Sequence, residues 1–222
     1  MDSKAVNKRI KSEVWPLLHG AGFSQFSTRT AWRHRERQID VMNFQSFNSH
    51  NASVLGCTTY SFSVNVGCYL LEVPEAFPSV KDKGGTLVPE EYQCHFRGRL
   101  AKQLRQPEFP DKYIWFVDVE GGYIQAALHD VRMVVSRDAF PWFDRLRDRT
   151  EVLRILREDQ ETMSQLWGFG RQGSPARHYL TGYVALAAGQ HNIARESLQA
   201  AASTPSFAQI AERLRADGDA PA

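Results

Sequence analysis

Arginine and amide side chains are the residues of this sequence best suited to bind a ligand. Arg97 and Arg99 are separated by one residue, so they share a face if their segment is a strand. A guanidinium offers a planar fork of donors that matches a carboxylate or a phosphate. Amide side chains in strands need hydrogen-bond partners, which are either each other or a ligand. The predicted ligand- or partner-binding surface consists of Trp32, Asn43, Gln45, Asn65, Arg97 and Arg99.

The pattern leaves open whether these amides form an internal network or line a groove. Asn43 and Gln45 share one face of their predicted strand, and Asn65 lies on the small, polar side of another. Satisfying buried amides internally is the ordinary solution in folded proteins. Nothing in the sequence alone makes the three strands neighbours.

Catalytic and metal sites are not predicted. Cys57, Cys68 and Cys94 have spacings that fit no zinc pattern, and Cys68 falls on the apolar side of its strand. The segment Gly168–Gly173 reads Gly-Phe-Gly-Arg-Gln-Gly, but a dinucleotide site needs a strand directly before such glycines. We therefore predict no cofactor, no metal and no catalytic residues, and favour a protein that is not an enzyme.

The balance of charge argues against nucleic acid as the main partner. Lys plus Arg total 27 and Asp plus Glu total 25, a net charge of +2. A basic stretch from Arg29 to Arg37 surrounds Trp32, and a charged hairpin tip is its more ordinary interpretation. No membrane segment or secretion signal is predicted, and an odd number of cysteines favours the cytoplasm. Another protein is the expected partner, with a homo-oligomer left open.

The predicted elements give an α+β fold, in which an antiparallel sheet is packed by helices on one face. The clearest strand has apolar Phe62, Val64 and Val66 on one side, and we expect them to pack on the Val6/Ile10/Val14 face of the first helix. The predicted helices are 3–19, 123–137 and 150–157. The predicted strands are 30–34, 38–47, 60–71 and 113–119, with 94–100 either a strand or the start of a helix and 48–56 and 72–91 as loops.

The C-terminal part differs in character from the body. Ser174 followed by Pro175 is typical of a helix start, and helices near 175–189, 192–202 and 205–216 follow. The predicted organisation is an α+β body at 1–157, a linker at 158–174, a small all-helical appendage at 175–216 and a disordered tail at 217–222.

Several separated blocks of the body carry a resemblance to a known family. They are, in order, Gly22-Phe23, Trp32-Arg33, Asn43 to Ser46, Phe62 to Gly67, Cys94 to Leu100, Trp115 to Val117 and Pro141 to Phe143. This pattern closely resembles the bacterial family catalogued as domain of unknown function 4304 (DUF4304), over about Lys4 to Leu156. The resemblance implies a fold and a bacterial origin, and it implies no catalytic residues.

The expected function is a non-enzymatic protein-binding module, of the immunity or accessory type that bacteria keep beside toxins. The alternative is a small enzyme, or a nucleotide- or anion-binding protein, that uses the Arg97/Arg99 region. A nucleic-acid role through the basic hairpin ranks third.

Overall fold

The computed structural model describes residues 1–74, 80–82, 84–158 and 173–207. Its α-helices are α1 (Ser3–Glu13), α2 (Trp15–Gly20), α3 (Ser49–Leu55), α4 (Ile124–Val134), α5 (Phe140–Arg145), α6 (Arg149–Arg157), α7 (Pro175–Ala187) and α8 (His191–Ala202). Its strands are β1 (Gln25–Phe26), β2 (Thr30–His34), β3 (Gln38–Ser46), β4 (Phe62–Leu70), β5 (Lys81–Asp82), β6 (Leu87–Val88) and β7 (Phe96–Arg99). None of the helices described is both long and apolar enough to cross a membrane.

Five strands form one antiparallel sheet in the order β1-β2-β3-β4-β7, and β5 and β6 form a separate antiparallel pair. The predicted α+β class with an antiparallel sheet is confirmed. The undecided segment 94–100 supplies β7, which pairs with the second half of β4. The residues of β2, β3, β4 and β7 therefore lie in register across the middle of the sheet.

One face of the sheet is covered by helices. Val64 is fully buried in a cluster that also contains Val6, Ile10 and Val14 of the N-terminal helices, which confirms the predicted packing. The same cluster includes the apolar side of α4. Burial of these aliphatic side chains is the main contribution to the stability of the body.

The C-terminal helices pack on the body through a second apolar cluster. Leu180 and Val184 of α7 lie in it with Val152 and Leu156 of α6 and with Leu70 of β4. The α7 residue Gly182 lets α8 approach, because a side-chain carbon there would lie 2.4 Å from the Leu198 side chain. Ser174 caps α7 as predicted, by accepting a hydrogen bond from the backbone N–H of Arg177. Most of the predicted linker (159–172), residues 208–216 of the predicted third helix and the tail at 217–222 lie outside the described residues.

Two predictions of local structure are wrong. The predicted loop 48–56 contains α3, which is capped by the Asn48 side chain and ended by Gly56 at a φ of 69°. Only Ala52 is buried in this helix, so it carries no apolar periodicity. The predicted strand 113–119 pairs with β4 only through Trp115 and Phe62.

The reason for the missing strand lies in its hydrogen bonds. The backbone N–H of Phe116 donates to the Gln106 side chain over 3.1 Å, and that of Val117 donates to the Ser61 hydroxyl over 3.0 Å. Side chains therefore take the place of a neighbouring strand. Apolar, β-prone composition cannot distinguish these two ways of satisfying the backbone.

The predicted helix boundaries also need correction. The first helix divides near Val14 into α1 and α2, with Pro16 in the first turn of α2. The predicted helix 123–137 continues through a π-helical turn, Val135–Ala139, directly into α5. A further correction concerns the predicted loop 72–91, in which the chain forms the short antiparallel strand pair β5 and β6.

Candidate functional site

The residues predicted from sequence to form a binding surface share one face of the sheet. Asn65 lies opposite Asn43 on one side and Arg99 on the other. One row along, Gly67 of β4 lies opposite Val41 and Arg97, and Val41 in turn lies opposite Trp32. Residues directly opposite in antiparallel strands point to the same face, as do residues two apart. We call the polar part of this surface the polar face, which consists of Asn43, Gln45, Asn65, Arg97 and Arg99.

A hydrogen-bond network runs across three strands of the polar face. The Nδ2 of Asn65 donates to Oε1 of Gln45 over 2.8 Å, and the Nε of Arg99 donates to Oδ1 of Asn65 over 2.9 Å. Asn43 donates separately to the Thr30 hydroxyl over 3.0 Å. Asn65 is buried whereas Gln45 is exposed. The amides therefore form an internal network, which is one of the two alternatives that the sequence left open, and Gln45 keeps one edge of this network at the surface.

Trp32 lies on the same face but is 4% exposed. Its indole Nε1 donates to the carbonyl of Pro89 over 2.8 Å. It packs with Val41, Tyr69 and Val88 in a third apolar cluster. Trp32 thus anchors the segment around β6 over the apolar half of this face, and it presents little area to a partner.

A short 3-10 turn, Glu91–Gln93, lies beside the polar face. Gly67 makes room for the end of this turn, because a side-chain carbon there would lie 2.7 Å from the Cys94 sulfur and 3.3 Å from the Glu91 carbonyl. Tyr92, in the middle of the turn, is 68% exposed. The turn therefore adds an exposed aromatic side chain and a carboxylate next to the arginines.

The carboxyl group of Glu91 interacts at this corner with the guanidinium groups of Arg97 and Arg99. Burial raises the pKa of the Glu91 carboxyl, and the positive charges of Arg97 and Arg99 oppose that shift. The Nε of Arg97 is buried and has no hydrogen-bond partner among the residues that the structure describes. A buried guanidinium donor without an acceptor costs free energy, whereas the amides beside it are satisfied.

Glu91 and Tyr92 were missed from the sequence. Both fall in or next to a segment rich in Pro, Gly and Lys that predicted an irregular loop, and no periodicity marks them. Their position next to the polar face depends on the contact between Gly67 and Cys94, which joins residues far apart in the chain.

The basic stretch Arg29–Arg37 makes its contacts within the fold. Arg33 and Arg35 each donate through Nε to the buried carboxylate of Asp40 over 2.8 Å, and Arg35 also binds Asp144. Arg37 lies 3.8 Å from Glu72. These pairings favour the structural interpretation of the stretch over a nucleic-acid surface. Asp40 was not singled out in the sequence, although a charge between Ile39 and Val41 of a strand is the kind of residue that needs a partner.

Two of the three cysteines lie in apolar surroundings, and Cys57 is partly exposed. Cys68 and Cys94 are buried, and burial raises the pKa of both thiols well above the ordinary value. In the part of the chain that the structure describes, no three His, Cys, Asp or Glu side chains are grouped as a metal site would require. Residues 168–172 of the glycine-rich motif lie outside the described ranges.

Comparison with known proteins gives one result. The model of the family described as Domain of unknown function (DUF4304) matches residues 14–145, which is more than half of the chain. No curated protein and no solved structure matched. The matched range runs from the end of α1 to the end of α5, and it contains the whole polar face together with Glu91 and Tyr92. On this match, and on the antiparallel sheet and helices that it covers, the chain belongs to the DUF4304 family.

Proposed function

We propose that this chain is a non-enzymatic protein-binding module, of the immunity or accessory type, which contacts its partner through the polar face and Tyr92. The observation that carries this proposal is the exposure of Tyr92, which is 68% exposed beside the polar face. A large aromatic side chain left in solvent is the kind of group that a protein partner buries.

The composition of the surface supports a protein partner. Arginine and tyrosine are the residue types that contribute most often to protein–protein affinity. Tyr92 is largely exposed, and Gln45 offers an amide at the edge of the network. An interface needs such aromatic and guanidinium groups beside polar groups that already have partners.

The polar face spans β3, β4 and β7, and neighbouring strands lie about 4.8 Å apart, so it is about 10 Å wide before the turn carrying Tyr92 is added. A protein segment or a nucleotide can cover this width. A second candidate, a nucleotide- or anion-binding protein or small enzyme, rests on the co-facial pair Arg97 and Arg99 alone. Arg99 already donates to Asn65, which leaves Arg97 as the main contact for a small anion.

Site-specific photo-crosslinking in cells of the source organism tests the proposal. A photo-reactive residue placed at Gln45, which is exposed on the polar face, is expected to give one adduct of defined mass. The matched control is the same residue placed at Gln199, an exposed glutamine of α8. The Gln45 adduct should decrease when Arg97 is changed to Ala, while an Arg105→Ala change should leave it intact.

The result that contradicts the proposal is a Gln45 variant that gives no adduct, or one that forms equally with Arg97→Ala. If the partner is a toxin, as the immunity type requires, its expression without this chain should arrest growth. Co-expression of the chain should restore growth, and co-expression of the Arg97→Ala variant should not.

A further inference from the structure

A cavity of about 240 Å³ lies among the C-terminal helices, outside the residues 14–145 that the family model matches. It is bounded by the end of α6, by the first half of α7 and by one side of α8. Pockets for drug-sized ligands measure roughly 300–1,000 Å³, so a ligand of this cavity has few atoms. The polar residues that line it are Arg157, Arg177, His178, Thr181, Glu196 and Ser197.

The spacing of these residues places them on facing sides of two helices. Arg177 and Thr181 are four residues apart on α7 and therefore share one face of that helix. Ile193 and Ser197 are four residues apart on α8 and line the same cavity. The cavity thus receives polar groups from both helices of the C-terminal hairpin and from the end of α6.

Three of the polar side chains belong to residues that are more than nine-tenths buried: Arg177 is 6% exposed, Thr181 7% and Ser197 8%. Neither hydroxyl has a hydrogen-bond partner among the described residues. Neither is among the unpaired polar atoms that the fold shields completely from solvent. Both hydroxyls can therefore be reached from the cavity, where an acceptor would satisfy them.

Arg177 brings a buried positive charge that has no ion pair with a described carboxylate. Its Nε and Nη2 donate to the backbone carbonyl of Leu156 over 3.1 and 2.5 Å. Burial lowers the pKa of the Arg177 guanidinium. Its remaining nitrogen, Nη1, has no acceptor among the described residues, and it is not one of the fully shielded atoms. An anion in the cavity would meet this nitrogen and offset the cost of burying the charge.

The charges that line the cavity favour an anion. Arg157 and Arg177 are positive and Glu196 is negative, which leaves one net positive charge before any charge on His178 is added. Arg157 is exposed and has no ion pair with a described residue. Glu158 follows it in the chain but lines a different cavity. Coulomb attraction to such a site increases with the charge of the anion.

We propose that this cavity binds a phosphate group, either free or as a small monoester, through Arg157, Nη1 of Arg177 and the hydroxyls of Thr181 and Ser197. A phosphate carries about −1.5 to −2 charges at neutral pH and has three or more acceptor oxygens, so it can bind donors from three helices. A carboxylate has two oxygens and one charge. This inference goes beyond the proposed function, because the cavity uses none of the residues of the polar face.

Sodium phosphate can be titrated into the full chain at neutral pH while the backbone amides of Thr181 and Ser197 are followed by NMR. Sodium chloride at equal ionic strength is the reference. We expect a saturable shift with phosphate, none with chloride, and weaker binding of acetate. Methyl phosphate identifies the source of the group: tighter binding than that of phosphate indicates a monoester, and weaker binding indicates the free ion.

Two substitutions should weaken the binding of phosphate, with the backbone amide of Gly182 as the common reporter. Arg157→Gln removes an exposed charge and its donors, and the affinity should fall by about five-fold or more. The matched control is Arg195→Gln, at an exposed arginine of α8 that does not line the cavity, with a change within about two-fold. Thr181→Val keeps the shape but removes a donor, and it should also cost about five-fold.

Glu196→Gln should strengthen the binding of phosphate by about three-fold, because it removes the negative charge that lines the cavity. The inference is overturned if neither phosphate nor methyl phosphate gives a saturable shift, or if acetate binds as tightly as phosphate. It is also overturned if Arg157→Gln and Arg195→Gln weaken binding equally. The comparison of these two exposed arginines holds even where Thr181→Val lowers the stability of the fold. A negative result leaves the proposal of a protein partner unaffected.

Discussion

Arg99 and Asn65 are joined across β7 and β4 by a hydrogen bond of 2.9 Å, from the guanidinium Nε to the amide Oδ1. The same amide donates to Gln45 on β3. Asn65 is only 4% exposed, so its polar atoms depend on these partners rather than on solvent. Arg97 lies two residues before Arg99 on β7, and its Nε has no corresponding hydrogen bond to a described residue. The two arginines of the polar face therefore differ in their contacts: the Nε of Arg99 is bonded within the sheet, and the Nε of Arg97 is not.

This difference predicts losses of stability of different size for two matched substitutions. Arg99→Ala leaves the buried Oδ1 of Asn65 without its donor and should lower the free energy of unfolding by about 1–3 kcal/mol. Arg97→Ala removes no hydrogen bond from its Nε and should lower it by less than about 0.5 kcal/mol. Urea denaturation of both variants measures the difference. Equal losses would mean that the division of roles between the two arginines is wrong.

Burial of Val64 predicts a loss of stability on truncation. Its side chain is fully buried against the N-terminal helices, so Val64→Ala removes two methyl groups from a packed core and should cost about 1–3 kcal/mol. Val54 of α3 is 73% exposed and is the matched control, with an expected change within about 0.5 kcal/mol. Chemical denaturation of the pair checks this, and comparable losses at the two positions would contradict the assignment of the core.

The sequence was sufficient for the core, and it predicted the composition of the polar face on the condition that 94–100 is a strand. Alternation along β4 separates Val64 from Asn65, and spacing by two puts Arg97 on the same face as Arg99. These are properties of single strands, and period and residue type determine them. The α+β class and the packing of the first helix follow from the same local rules.

The order of the strands and the position of the turn could not be read from the sequence. Which strand lies beside β4 depends on contacts between distant segments, such as Asn65 with Arg99. Trp32 was predicted as a contact residue, yet the segment that contains Pro89 covers it. A buried indole N–H needs a hydrogen-bond acceptor, and no local sequence pattern indicates that Pro89 supplies it. Likewise, Glu91 was not predicted, because its proximity to Arg97 and Arg99 depends on contacts between different elements.

The close approach of Cys94 to Gly67 leads to a further prediction, on the position of the turn Glu91–Gln93. A side-chain carbon at this position would lie 2.7 Å from the Cys94 sulfur, so Gly67→Ala should displace the turn and lower the free energy of unfolding by about 1–3 kcal/mol. Cys94→Gly in the same chain removes the clashing atoms and should recover part of the loss. Gly20→Ala is the control, since nothing lies within 4 Å of the added carbon. A double-mutant cycle with no coupling between positions 67 and 94 would contradict the close contact.

The burial of His95 leads us to predict that the stability of the fold depends on pH. Its Nδ1 accepts a hydrogen bond from the backbone N–H of Leu70 over 2.9 Å, so that nitrogen must be unprotonated in the folded chain. Burial, with a smaller contribution from the positive charge of Arg149, lowers the pKa of His95 from 6.5 to about 4. Since the folded value lies below the unfolded one, the stabilisation is complete above about pH 6.5 and decreases as the pH falls toward 4.

The expected slope is about 1 kcal/mol per pH unit between pH 6 and pH 4.5, measured as the free energy of unfolding in urea. In His95→Asn the amide oxygen takes the position of Nδ1, and it accepts the same hydrogen bond without titrating, so the slope should be reduced. Burial raises the pKa of the Asp40 carboxyl, which adds stability as the pH falls. That contribution is present in both proteins and cancels in the difference between them. If wild type and His95→Asn lose stability in parallel between pH 6 and pH 4.5, then His95 does not take up a proton on unfolding, and its burial does not keep it neutral in the folded chain.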